Sequence, residues 1–488
     1  MNLSLRFVLS SLALAPLAVA QLPIFPGNIL VSRVGDGTST LTNGATARFL
    51  DEYTQAGVFV QTFALPTVAS GANLALTNSG TATSEGYISQ SADGLYFVTG
   101  GYNAPLGTLT VASTTSAAVA RVIGRIDLLG NVDTSTGLTD AYSANSFRSV
   151  CSVDGNSFYT GGQGSNPTNG VRYVAALGST TSTQLSTTQT NVRNVNIYNG
   201  QLYTTAAAGT FQGVSTVGTG LPTTSGQTIT LLNGFPIATG PQPYDYFFAD
   251  AATVYVADDR TTVGGIQKWT ESGGLWTLAY TLQPAASTGC RGLSGYTEAG
   301  VTTLFATTTA TSGTTVVSVV DTGPGSVFTT IVPNTANMAL RDVQFVRTPS
   351  QVIYSGTDCA NTVGTPTQST FGGYPVAGNT NFGIQGSNCV PSSLVVFALQ
   401  FAGPLPFGYA PFGVDAPPCA LAYLFPDALV YLGADPAGTF AAPIPVPNNY
   451  SLAGAVLTTQ IASLDPALAG SYSYPFGTSL ALTLVIGN

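Results

Sequence analysis

The sequence predicts an all-β protein, a six-bladed β-propeller followed by a smaller β-sandwich. Three observations carry that expectation. Thr, Ser, Gly, Val, Tyr and Phe are plentiful, whereas helix-favouring Lys, Glu and Gln are scarce, a balance that favours strands and turns. A hairpin pattern recurs at intervals of about 45–60 residues. Finally, the strand that the first copy lacks is present at the far end of the series.

The N-terminus reads as a secretory signal peptide over residues 1–20. A short polar start with Arg6 leads into the apolar run Phe7 to Val19, and Ala18-Val19-Ala20 is a small-x-small cleavage site. The run is too short to span a bilayer, and no later segment is long and apolar enough to do so. The mature chain is expected to start at Gln21 and to act outside the cell or at its surface.

The repeats follow. Each opens with a short strand, a turn, and a second strand ending in small residues. The copies begin at Glu85, Arg148, Arg193, Asp245, Arg291 and Arg341. Asp93-Gly94, Asp154-Gly155 and Asn199-Gly200 supply turns that accept positive φ at low cost. Two further strand candidates follow each hairpin, as in Gly265-Ile-Gln-Lys-Trp-Thr and Leu275-Trp-Thr-Leu-Ala-Tyr. Four short antiparallel strands, repeated radially, make a propeller. The segment from Ile29 supplies strands two to four of a blade, and Arg341-Asp-Val-Gln-Phe-Val supplies its first strand. Pairing the two ends closes the ring and removes open edges. A seventh blade is the alternative, if Gln351-Val-Ile-Tyr-Ser joins the ring. The predicted units are residues 21–350 for the propeller and 351–488 for the sandwich.

At Thr219-Gly-Leu-Pro-Thr-Thr-Ser-Gly-Gln-Thr, Gly264-Gly-Ile-Gln-Lys-Trp-Thr, Trp276-Thr-Leu-Ala-Tyr-Thr-Leu and Cys290-Arg-Gly-Leu the chain resembles an uncharacterised family of secreted bacterial β-propeller proteins. That resemblance runs from about Gly27 to Val346 and implies the fold, with no settled activity. From Tyr354 onward, Gly378-Asn-Thr-Asn-Phe, Pro443-Ile-Pro-Val-Pro-Asn-Asn-Tyr and Gln460-Ile-Ala-Ser-Leu-Asp-Pro are similar to a C-terminal module of many secreted proteins of environmental bacteria. The module's reuse implies surface presentation or secretion.

Charged residues make up only 7% of the chain, the net charge is −9, and Lys268 is the only lysine. Without a basic patch, a nucleic-acid partner is not expected. Five cysteines are an odd number, and a Cys359–Cys419 disulfide is expected in the C-terminal part, while Cys151 and Cys290 read as small buried apolar residues.

The chain contains no histidine, which excludes a Ser-His-Asp triad, a Cys-His dyad and histidine-ligated metals. The positive signal lies at the starts of the innermost strands. Glu85, Arg148, Arg193, Asp245, Arg291 and Arg341 would ring one mouth of the channel, with the two acids facing each other. Converging guanidiniums suit a carboxylate, sulfate or phosphate; equally, the six charges can satisfy one another as a structural plug. Glu85 with Asp245 is also a conceivable glycosidase pair, although flanking arginines are expected to depress both pKa values. Asp258-Asp259, Asp93-Gly94 and Asp154-Gly155 are possible Ca²⁺ turns without a full ligand loop. Asp51-Glu52 reads as a solvated face, and Lys268 beside Trp269 as a surface stem.

Together these features suggest a secreted, non-enzymatic binding or surface protein whose propeller face takes an extracellular ligand such as an anionic glycan, with an extracellular glycan or a surface protein as its expected partner. Two alternatives stand beside it: a histidine-free glycan hydrolase or lyase, and a structural envelope protein.

Overall fold

The computed structural model describes residues 21–487 apart from 236–241, 287, 299, 310–313, 356–357, 404–426, 448, 450–451 and 469–475. The predicted signal peptide and Cys419 lie outside the described residues. The chain is all-β and propeller-like. Among the described residues the helical pieces are single 3-10 turns, and no helix is long and apolar enough to cross a membrane.

Six four-stranded antiparallel sheets follow one another along the chain. Sheet I joins the two ends of the series: Ala339–Phe345 pairs with Ile29–Val34, which pairs with Arg48–Tyr53 and then Phe59–Ala64. Sheet II runs from Ile88–Gln90 to Val132–Leu138, and sheet III from Phe147–Ser152 to Thr183–Gln184. Sheet IV runs from Val195–Tyr198 to Ile229–Leu231, sheet V from Pro243–Asp250 to Leu275–Leu282, and sheet VI from Cys290–Glu298 to Phe328–Val332. Gln351–Ser355 does not join them; it pairs with Ala481–Val485 in the C-terminal part.

The middle strands are largely buried on both faces because each sheet packs against its neighbours, and their sequences mix apolar residues with Thr, Ser and Gly rather than alternating strictly. Six apolar clusters fill the gaps. Leu30, Leu50 and Phe63 of sheet I meet Ile88, Phe97 and Val122 of sheet II. Val98 and Ile123 of sheet II meet Phe147, Val150 and Phe158 of sheet III. The same arrangement repeats from III to IV around Cys151 and Val195, from IV to V around Val214 and Trp269, and from V to VI around Tyr255 and Leu293. The sixth cluster joins VI to I through Phe305, Val316, Ile29 and Phe345. Cys151 and Cys290 are buried free thiols within these clusters, as read from the sequence.

The first strand of each sheet leaves one backbone edge unpaired. Small polar side chains tie those edges across every junction, since buried N–H and C=O groups require partners. Asp342 accepts from the Ile88 amide at 2.8 Å, and Ser89 donates to the Val150 carbonyl at 2.6 Å. Ser149 accepts from the Val195 amide at 3.1 Å, and Thr205 donates to the Tyr244 carbonyl. Asp245 accepts from the Leu293 amide at 3.0 Å, and Ser294 from the Phe345 amide at 2.7 Å. Among the turns, Asn199-Gly200 has positive φ at both residues, 49° and 71°, as a two-residue hairpin of the primed type requires.

Beyond residue 350, a six-stranded sheet and the three-stranded sheet Thr367–Phe371, Gly383–Ser387 and Phe440–Pro443 share one core that includes Ile384, Phe397, Phe440, Ile461 and Leu484. Cys359 is disulfide-bonded, and Cys389 is a buried free thiol. This unit is tied to the ring where the Ser350 amide donates to the Asp93 carbonyl at 2.8 Å.

One surface reading is overturned. Asp51 and Glu52 are buried, 2% and 0% exposed, rather than solvated. Asp51 pairs with Arg33 at 2.5 Å, and Glu52 accepts from the Phe25 amide, Asn28 and Gln61. The N-terminal residues 21–28 cover this face, so its charges are matched internally. Lys268 is likewise held, with Nζ 2.9 Å from Asp321 and 3.3 Å from the Tyr280 hydroxyl.

Candidate functional site

Strand register defines which residues are equivalent from sheet to sheet. Ile88, Val150, Val195, Tyr246, Leu293 and Val343 stand opposite equivalent residues of their second strands: Thr99, Thr160, Thr204, Val256, Ala306 and Val31. Two residues earlier come Gly86, Arg148, Arg193, Tyr244, Arg291 and Arg341. Counted along the strand from these positions, the four arginines occupy one place in their sheets. Glu85 and Asp245 do not: each is one residue off, and Gly86 and Tyr244 hold the ring positions. The level immediately below is Tyr87, Ser149, Asn194, Asp245, Gly292 and Asp342.

The arginines divide into two kinds. Arg148 and Arg341 are buried, 3% and 6% exposed. Arg148 donates to the Asn191 side chain, to the Val192 carbonyl at 2.9 Å and to Gln163 at 2.9 Å. Arg341 donates to the Gly80 carbonyl at 2.6 Å. Burial first, then a neighbouring guanidinium, lowers the pKa of each to about 10, which leaves both charged at neutral pH. By contrast, Arg193 and Arg291 are partly exposed and lie on the Tyr244 ring, 4.7 and 5.7 Å from its centroid. Arg291 also donates to Asp259 at 3.4 Å. Among the described residues, the Arg193 guanidinium has no hydrogen-bond acceptor, and its Nε is buried without a partner.

Glu85 is enclosed. It accepts from the Tyr102 hydroxyl at 2.6 Å and from the Ser79 amide at 3.2 Å. Burial raises its pKa above the ordinary value against the pull of these bonds and of Arg341. Asp245 lies beside Asp342 rather than Glu85, and the two buried carboxyl groups act on each other's ionisation. Asp245 also accepts from Asn194 and from its neighbouring Tyr246 amide. Its pKa is pushed up to about 7 by burial, and Asp342 is raised by burial and by the charge of Asp245. The expected depression of both ring acids is thus overturned: desolvation outweighs the arginines. Adjacent carboxylates cannot both ionise cheaply, so the pair holds a proton between them.

Sequence reading missed Tyr244, Tyr87, Asp342 and Arg48, and named Asp259 only within an acidic turn. Arg48 is fully buried beside this cluster and donates to Ser32, Asn78 and the carbonyls of Gly86 and Gly100. Below the acid pair lies a cavity of about 120 Å³ bordered by Gln90, Asn196 and Gln344, and a second of about 220 Å³ lies between Tyr198, Phe248 and Tyr374.

The acidic turns suggested for Ca²⁺ have protein partners. Asp258 pairs with Arg260 at 2.5 Å, Asp93 accepts from Ser91 and the Leu95 amide, and Asp154 caps the Asn156 amide. Among the described residues no three His, Cys, Asp or Glu side chains gather as a metal site.

No family model matches the chain, and no curated protein matches it. Solved structures similar to it include a provisionally designated 6-phosphogluconolactonase from Bacteroides uniformis, 11% identical over 74% of this chain and 92% of that one, with a TM-score of 0.35. Hydrazine synthase of Kuenenia stuttgartiensis is 9% identical over 63% and 76%, with a TM-score of 0.32. An exo-β-1,3-galactanase from Phanerochaete chrysosporium is 9% identical over 94% and 95%, with a TM-score of 0.31. None of those activities is carried to this chain by such identities.

Proposed function

We propose that the chain is a secreted binding or surface protein. Residues 21–350 form a six-bladed propeller closed by its two ends, and residues 351–488 form a β-sandwich module. One channel mouth binds an anionic group of an extracellular ligand, such as an anionic glycan. The cyclic series of shared cores supports the ring, and the apolar leader supports secretion.

One observation carries the functional part. In a chain of net charge −9, four guanidiniums gather at one strand position, with Glu85 and Asp259 beside them and the Asp245–Asp342 pair one residue further on. Arg148 and Arg341 are held by the protein. Arg193 and Arg291 remain partly exposed on either side of Tyr244, which leaves their forks available to a carboxylate, sulfate or phosphate.

The test is binding of the mature protein to neutral, carboxylated and sulfated glycans, beside an Arg193→Ala/Arg291→Ala variant of confirmed fold. Binding is expected to be confined to the anionic members, weakened by salt and lost in the variant. No binding by either protein, with a lower melting temperature for the variant, would make the arginines a structural plug. The proton-sharing Asp245–Asp342 pair is the observation that favours the hydrolase alternative; polysaccharide turnover that Asp245→Asn abolishes would replace the binding reading.

A further inference from the structure

The same mouth specifies what must surround the anionic group, an inference that rests on the anion-binding reading above. Asp259 lies beside the open arginines. One of its oxygens takes Arg291 Nε, and Oδ1 is buried without a partner among the described residues. Close behind, Nε of Arg148, Arg193 and Arg341, the Tyr87 hydroxyl and Asp342 Oδ1 are also buried without partners. Of ten such side-chain atoms among the described residues, six therefore belong to this cluster. Of the other four, only Gln189 Nε2 and Ser215 Oγ lie in the six-sheet part, so the concentration here marks hydrogen-bonding capacity that the fold does not use.

That capacity is mixed. It contains donors on the guanidiniums and an acceptor on Asp259. Sulfate carries no proton at neutral pH and offers acceptors alone; seated on Arg193 and Arg291, it sets lone pairs against the Asp259 carboxylate. A neutral sugar offers hydroxyls and leaves the guanidiniums without an anion. A ligand with a carboxylate and a neighbouring hydroxyl serves both sets at once.

We infer that the site takes a polyhydroxy carboxylate of the sugar-acid class. Its carboxylate lies on Arg193 and Arg291, and an adjacent hydroxyl donates to Asp259. Asp259 is then the residue that selects carboxylated over sulfated ligands.

The mature full chain is titrated calorimetrically with galacturonate, galactose and sulfate, as wild type and as the near-isosteric Asp259→Asn. Galacturonate is expected to bind the wild type about tenfold or more tightly than either competitor, the size of one charge-assisted hydrogen bond. Asp259→Asn presents a donor as well as an acceptor, so it narrows the gap between galacturonate and sulfate. Sulfate binding the wild type as tightly as galacturonate would overturn the sugar-acid assignment and leave the anion site standing. An unchanged gap in a folded Asp259→Asn protein would remove Asp259 as the selector. Absence of binding by all three would overturn both readings. The wild-type comparison decides the ligand class even if the variant does not fold.

Discussion

Asp245 and Asp342 show at the level of single residues how this ring balances charge. Both carboxyl groups anchor a backbone amide of the next sheet, which fixes them in place, and both are buried. The folded state therefore raises their pKa values, that of Asp245 from 3.8 to about 7. A raised carboxyl pKa means that the folded state holds its proton more tightly than the unfolded chain. The associated stability is fully present below pH 3.8 and is lost as pH rises through about 7. Glu85 and Asp259, also raised by burial, act in the same direction. Urea unfolding should therefore show lower stability at pH 8 than at pH 5. Asp342→Asn, which keeps an acceptor for the Ile88 amide and donates to Asp245, should reduce that loss by about 1–3 kcal/mol. An equal loss in the variant would mean that the pair does not share a proton. The arginines were legible in the sequence because a guanidinium recurs at the start of a recurring strand. Tyr244 and Asp342 were not, because the alignment was anchored on the charges themselves. Anchoring on the following apolar residue, Val150, Val195, Tyr246 or Val343, would have exposed a second column of polar residues: Ser149, Asn194, Asp245 and Asp342.

Among elements, the strand Ala339–Phe345 matters most. It pairs with Ile29–Val34 from Ile29 opposite Phe345 to Val34 opposite Ala339, and it packs against the first strands of sheets VI and II. It also carries Arg341 and Asp342. Its removal strips the inner edge of sheet I, opens the cluster around Phe305 and Phe345, and bares the backbone of Ile29–Val34 to other chains. A chain ending at residue 338 should accordingly lose cooperative unfolding and self-associate, as read by calorimetry and light scattering. A monomeric product with a single sharp transition would contradict the role given to this strand. The pairing was legible because the N-terminal segment lacks a first strand and the far end supplies one. Asp51 and Glu52 were misread at this scale. Acidic residues on a strand look solvated until residues 21–28 and Arg33 are seen to cover them, and no periodicity in the sequence announces such a cover.

Across the whole molecule, six like-built four-stranded sheets repeat one strand position, and residues from that position are brought close together. Arg148 and Arg341 are far apart in sequence yet belong to one electrostatic cluster through Arg193, Arg291 and Glu85. Four positive groups in one cluster are therefore a product of the repeated sheets, and the protein's own acids balance only part of them. The series of four-stranded antiparallel sheets was visible in the sequence through repeat spacing and turn dipeptides. The division of labour among the arginines was not, since it depends on which forks find carbonyls, and those belong to loops such as Gly80 and Val192. The most direct measurement is a crystal structure of the mature protein grown with galacturonate. The account predicts a carboxylate lying between Arg193 and Arg291 with a hydroxyl on Asp259. An axis occupied by ordered water alone, with the guanidiniums bonded to it and no bound acid, would contradict the account and leave the arginine ring a structural plug.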